Sequence, residues 1–121
     1  MSTPFAAILR KAVERTPGAL GSAFAARDGE LVDVFVPSDV PEWDFFTAHY
    51  GILLSHVQSA LRTFHYGEAE LMMMSHSDTD VLLHPVIEGY YALMAVDHPA
   101  PLGKAISALD VAAKELRLEM G

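Results

Sequence analysis

The sequence predicts an α+β domain in the order helix, hairpin, helix, three-stranded meander, helix. Three observations predict it. Residues 42–66 form a long proline-free run with apolar residues at helical spacing, and Gly67 stands at its end. Asp28-Gly29 separates two β-like runs and signals a hairpin with a type I′ turn, which needs positive φ at both central residues. After Gly67, three short β-like runs separated by turn-forming residues lead into a final amphipathic stretch.

Ser2 or Thr3 is placed to cap the first helix, with Pro4 in its first turn. Phe5, Ile8, Leu9, Ala12 and Val13 line one side of it, Arg10, Lys11, Glu14 and Arg15 lie away from that side, and Thr16-Pro17-Gly18 ends it. Residues 19–27 are small and apolar, which suits a central strand lying close under a helix. Residues 30–36 alternate Val32, Val34 and Val36 against Leu31, Asp33 and Phe35. Pro37 and Pro41 bracket a loop before the long helix. The meander strands are residues 68–75, 81–87 and 90–96, joined by His76-Ser77-Asp78-Thr79-Asp80 and by a tight Glu88-Gly89 corner. Pro85 cannot donate a ladder hydrogen bond, so it belongs at a bulge or near the strand end. The last helix is Leu102–Met120, burying Leu102, Ile106, Leu109, Ala113, Leu116 and Met120.

At 121 residues the chain is a single domain, 1–121, large enough to support its own core. It has no cysteine, which excludes disulfides and thiolate metal sites. Its N-terminal charges and helical spacing match neither a signal peptide nor a membrane span, so a soluble cytoplasmic protein is expected. A net charge of −8 opposes a phosphate backbone and argues against nucleic acid as a partner. The hydrophobic fraction of 51% is high for a small acidic monomer and points to an additional buried surface.

Within residues 42–66, at about 100° per residue, Phe46, Tyr50, Leu53, Leu54, Val57, Leu61 and Phe64 share one arc, expected to cover the sheet. The opposite side is a strip of small residues, Ala48, Gly51, Ser55 and Ser59, with Asp44 and Arg62 at its ends. A glycine costs about 1 kcal/mol relative to alanine in a helix interior, which asks for a packing reason. If two copies of this helix crossed antiparallel about a twofold axis near Leu53, Asp44 would meet the partner's Arg62 at both ends, giving a homodimer.

The element order and its corner residues resemble the roadblock / dynein light chain family. The features are Pro17-Gly18-Ala19-Leu20-Gly21 after the first helix, Arg27-Asp28-Gly29 closing the first strand, and the long middle helix. The paired-aromatic strand Tyr90-Tyr91-Ala92-Leu93 and Leu102-Gly103-Lys104 opening the last helix complete them. The resemblance implies a profilin-like, five-stranded antiparallel sheet with the middle helix on one face and the N- and C-terminal helices on the other. It further implies dimerisation through the middle helix and the following strand, residues 68–75, so that two sheets join. Members regulate or scaffold small Ras-like GTPases, as in the bacterial gliding-motility polarity switch, or act as light chains and lysosomal scaffolds. The implied function is a non-enzymatic homodimer that binds such a GTPase. The implied interface adds Met72 and Met74 to Asp44, Ala48, Gly51, Ser55, Ser59 and Arg62.

The six histidines do not make a metal site by spacing. His49 and His56 lie two helical turns apart, about 10 Å along the axis, and zinc needs three or four converging ligands. His76, His84 and His98 read as strand or turn residues, and His65 sits at a helix C-terminal end. No nucleophile elbow occurs, and Gly18-Ala19-Leu20-Gly21 and Gly103-Lys104 fall short of a phosphate loop, so neither catalysis nor a cofactor is expected. Glu68 and Glu70 read as a solvated strand face. Met72-Met73-Met74 must alternate, placing Leu71 and Met73 on one layer and Met72 and Met74 on the other. Two other readings remain open: a small-molecule sensor with a pocket lined by Tyr50, Phe64 and Tyr91, and an assembly subunit without GTPase contact.

Overall fold

A computed structural model describes residues 3–37, 42–97 and 101–121. Ser2, the loop at 38–41 and His98 lie outside the described residues. The elements are α1 (Pro4–Glu14), β1 (Ala19–Ala26), β2 (Leu31–Phe35), α2 (Trp43–Thr63), β3 (Met72–Ser75), β4 (Thr79–Pro85), β5 (Tyr90–Asp97) and α3 (Leu102–Met120). The strands form one sheet in the order β2-β1-β5-β4-β3, every neighbouring pair antiparallel.

Because strand side chains alternate, each inner strand supplies both layers. Phe24, Leu82, Ala92, Met94 and Val96 pack against Leu9 of α1 and Leu109 and Leu116 of α3. Ala23, Ala25, Val81, Leu83, Tyr91, Leu93 and Ala95 face α2. Thr3 caps α1, its hydroxyl accepting from Ala6 N at 3.0 Å, and Ser22 Oγ donates to Leu9 O at 3.1 Å to pin α1 on the sheet. Pro85 is the last residue of β4, where its missing donor interrupts nothing.

The hairpin between β1 and β2 differs from the expected type I′ turn. Gly29 has φ +95° while Asp28 is not in the positive-φ region, Gly29 N donates to Ala26 O at 2.9 Å, and Ala26 N donates to Glu30 O at 2.8 Å. This is a three-residue loop closed by one left-handed glycine. The Asp28 carboxylate accepts from Glu30 N at 3.0 Å, and Val32, left between the pairs Phe24–Asp33 and Ala25–Leu31, shifts the β1–β2 register.

α2 also ends earlier than Gly67. His65 takes φ +59°, its N–H donates to Arg62 O at 3.2 Å, and Tyr66 N donates to Leu61 O at 2.9 Å. That pair of bonds is a Schellman closure with histidine at the left-handed position. β3 is shorter than expected because the Gln58 amide captures the backbone before it: Ala69 N donates to Gln58 Oε1 at 2.8 Å and Gln58 Nε2 donates to Ala69 O at 3.3 Å. Residues 68–71 are therefore tied to α2 before the chain joins β4.

Candidate functional interface

The seat of α2 on the sheet is set by Trp43, Thr47, Gly51 and Leu54, all buried. Tyr91 rises from β5 into this seam and its Oη donates to Thr47 O at 2.9 Å. A Cβ on Gly51 would stand 2.3 Å from that Oη, so the glycine makes room for the phenol. Ala48 packs near the hairpin, where a Cβ on Gly29 would lie 3.1 Å from its own Cβ. Ser55 is half-buried and Ser59 exposed. The close approach that the small residues permit is thus, at Gly51 and Ala48, an approach of the protein's own β-layer.

The expected rotation of α2 is corrected accordingly. Of its apolar arc, Leu54 is buried and Phe46 and Tyr50 pack on the core, but Leu53, Val57 and Phe64 are exposed. The helix carries apolar residues over more than one face, so spacing alone leaves its rotation open. Two large rings decide it: Tyr91 of β5 fits against the bare helix backbone at Gly51, and Trp43 of α2 fits over the bare strand at Gly21.

The outward side carries large apolar residues among polar ones. Phe45 is 64% exposed and Ile52 49%, with Leu53, Val57 and Phe64 continuing the stripe. His49 lies on the same side, held by Nδ1 donation to Phe45 O at 2.8 Å, and His56 follows two turns on. Next in the chain comes β3, hydrogen-bonded on one side to β4 and at the edge of the sheet on the other. Leu71, Met73 and Met74 are exposed there, whereas Met72 is half-buried and packs with the α2-side cluster. The opposite edge is blunted: Val34 N donates to Asp33 Oδ1 at 2.9 Å, and the same carboxylate accepts from the Thr3 hydroxyl. Asp44 is exposed, and Arg62 is engaged within the chain, Nη2 to Glu68 Oε1 at 3.2 Å with both side chains open to solvent.

Elsewhere, ionisable groups tie elements together. His84 Nδ1 donates to Pro85 O at 2.8 Å and its Nε2 lies 3.2 Å from Asp110 Oδ1. Lys114, 3.1 Å from Asp110, holds that carboxyl below its ordinary range by hydrogen bonding and charge, helped by His84. Arg117 Nε donates to Val86 O at 2.7 Å. A mixed-charge groove of about 970 Å³ runs past Ser55, Arg62, Glu70, His84 and Lys114. Among the described residues no three His, Asp or Glu side chains converge as metal ligands, and no helix is long and apolar enough to cross a membrane. Tyr50, Phe64 and Tyr91 do not form a common pocket: Phe64 is exposed, Tyr91 is sealed under α2, and Tyr50 lines a separate cavity.

No family model and no curated protein matches the chain. Solved structures do. The roadblock/LC7 domain from Streptomyces avermitilis superposes with a TM-score of 0.86 at 17% identity, covering 95% of this chain and 96% of that one. MglB of Myxococcus xanthus gives 0.88 at 11% identity, with 98% and 95% covered. An MglB with a tetrameric arrangement gives 0.87 at 16% identity, with 98% and 90% covered. Superposing at TM-scores of 0.86–0.88 over nearly the whole length of these domains, the chain has the roadblock/LC7 fold.

Proposed function

We propose that the protein is a non-enzymatic homodimeric module that binds a small Ras-like GTPase and regulates or scaffolds it. The observation that carries the reading is the apolar stripe Phe45, Ile52, Leu53 and Val57 on α2 with Phe64 at its C-terminal cap, followed in the chain by an edge strand with exposed Met73 and Met74. Such a surface on an acidic protein asks for a cover, and an unpaired apolar edge invites strand pairing. A second copy supplies both at once. Blunting of the β2 edge by Asp33 leaves β3 as the edge suited to join two sheets. In this dimer the stripe is the centre. Ala48, Ser59, Asp44 and Met74 lie around it, and Met72 stiffens β3 from beneath. Ser55 flanks the seam, Gly51 acts by seating the helix, and Arg62 exchanges between Glu68 and the partner's Asp44.

The multi-copy arrangement of one MglB structure supports self-association, and the resemblance to roadblock proteins supports a GTPase as the second partner. The test is direct. Light scattering should give twice the chain mass for the wild type and a folded monomer for Leu53→Asp, since a charge buried at the middle of the stripe has no partner. The immobilised dimer should retain a Ras-like GTPase in one guanine-nucleotide state, and Leu53→Asp should lose it. A wild-type monomer at all concentrations overturns the dimer; a dimer indifferent to GTPases overturns the second half.

A further inference from the structure

Two histidines interrupt the apolar stripe of α2 near its middle. At about 100° per residue, Phe45, His49, Ile52 and His56 fall within an arc of about 60°, about 180° from the middle of the buried set Trp43, Thr47, Gly51 and Leu54. Both histidines are exposed. The other charged residues of α2 are Asp44 and Arg62, near its two ends, and Arg62 is engaged by Glu68. Around the helix, Asp28 and Glu30 lie in the hairpin loop near Ala48, Glu70 precedes β3, and His65 follows the last turn. Tyr50 is turned to His76 of the β3–β4 turn, and β3 itself carries no ionisable side chain.

The ring of His49 has a fixed sense. Its Nδ1 lies 2.8 Å from Phe45 O, and a carbonyl oxygen only accepts, so Nδ1 carries the proton. In the neutral ring Nε2 is then an acceptor, at the end turned away from the backbone bond. His56 has an N–H to give. The point midway between the two histidines falls between Ile52 and Leu53, where the twofold axis of the proposed dimer crosses the helix. Each histidine is about 5 Å along the helix from that point, within the turns where two crossing helices touch whatever their angle. An antiparallel pair crossing there sets His49 against the partner's His56, twice by symmetry. It also sets Phe45 against the partner's Ala60, large beside small, and Ile52 against the partner's Leu53.

We propose that His49 and His56 form two reciprocal hydrogen bonds across the dimer seam and make the dimer acid-sensitive. The inference rests on the dimer proposed above. With both rings neutral, the partner's His56 donates an N–H to His49 Nε2, and the same bond recurs about the axis. A proton added to His49 goes to Nε2 and turns the acceptor into a donor facing a donor. A proton added to His56 puts a charge into an apolar seam, where it loses hydration. Separation returns both rings to water, so dissociation takes up protons. By linkage the dimer weakens as pH falls through the range in which histidines gain charge, about pH 8 to pH 5.

Sedimentation equilibrium at about pH 7.5 and about pH 5.5, with a chelator present to exclude bridging metals, measures the dimer Kd. Circular dichroism checks that the chain stays folded at both. The wild-type Kd should rise at least about tenfold on acidification. The non-titrating double variant His49→Gln, His56→Gln keeps His65, His76, His84 and His98, and its Kd should change less than about threefold over the same interval. A wild-type Kd that does not change, or a double variant as acid-sensitive as the wild type, overturns the histidine pairing and leaves the dimer standing. A chain that is monomeric at about pH 7.5 overturns the dimer and the pairing with it.

Discussion

Gly51→Ala separates two seatings of α2 by the sign of its effect. On an outward face, alanine gains about 1 kcal/mol over glycine from helix propensity. In the structure the new Cβ would stand 2.3, 2.7 and 2.9 Å from Oη, Cζ and Cε1 of Tyr91, whereas carbon contacts are normally about 3.5–4 Å. Tyr91 is 1% exposed, so the ring can withdraw only by displacing its neighbours. Moving it by roughly 1 Å strains the seam by about 1–3 kcal/mol and threatens the bond to Thr47 O, about another 1–3 kcal/mol. Set against the propensity gain, the net loss is about 1–5 kcal/mol, or roughly 4–20 °C in Tm for a chain of this size. Urea unfolding followed by the fluorescence of Trp43, at fixed protein concentration, measures it. Adding Tyr91→Leu should recover part of the loss, so the double mutant falls short of the sum of the singles. An alanine variant as stable as the wild type would refute the seating of Gly51 against Tyr91.

The same phenol makes stability depend on alkaline pH. Burial, with Asp28's charge adding, pushes the Tyr91 hydroxyl up to about 12, above the value of about 10 in an unfolded chain. The folded state therefore keeps a proton that the unfolded state releases. Stability is full below about pH 10 and falls by about 1.4 kcal/mol per pH unit up to about pH 12. Tyr91→Phe should flatten this slope in unfolding experiments between about pH 9 and pH 11; an equally steep variant would show that another group is responsible. At the other end of α2, Gln58→Leu removes both bonds to Ala69, whose side-chain donor and acceptor leucine cannot replace. The expected loss is about 1–2 kcal/mol with faster exchange of the Ala69 amide, and an unchanged exchange rate would discard the clamp.

Much of this molecule is legible in the amino-acid order because local chemistry acts over a few residues. Thr3 and Pro4 start a helix, Asp28-Gly29 turns the chain, and the alternation of small and branched residues marks strands. All eight elements follow in the predicted order, with α3 at Leu102–Met120 as expected. Turn type was less legible: Asp28 had a better use for its carboxylate, on Glu30 N, than for a left-handed backbone. Histidine in place of glycine at the end of α2 carried no strong local signal, since its conformation is held by bonds to Arg62 O and Leu61 O.

The rotation of α2 lay beyond sequence because its apolar residues exceed what one face needs, and periodicity weighs Leu53 and Leu54 alike. Choosing between them required knowing that Tyr91, over forty residues away in the chain by the span of its bond to Thr47, would need the bare backbone at Gly51. Likewise, no local pattern distinguishes the two outer strands; Asp33 folding back on Val34 N closes one edge, while the exposed methionines leave the other apolar. Sequence by itself determined which segments are helix and which are strand, through interactions that each segment makes with itself. Tertiary packing alone decided which sides face inward, because that choice depends on volume and hydrogen-bond partners contributed by distant parts of the chain.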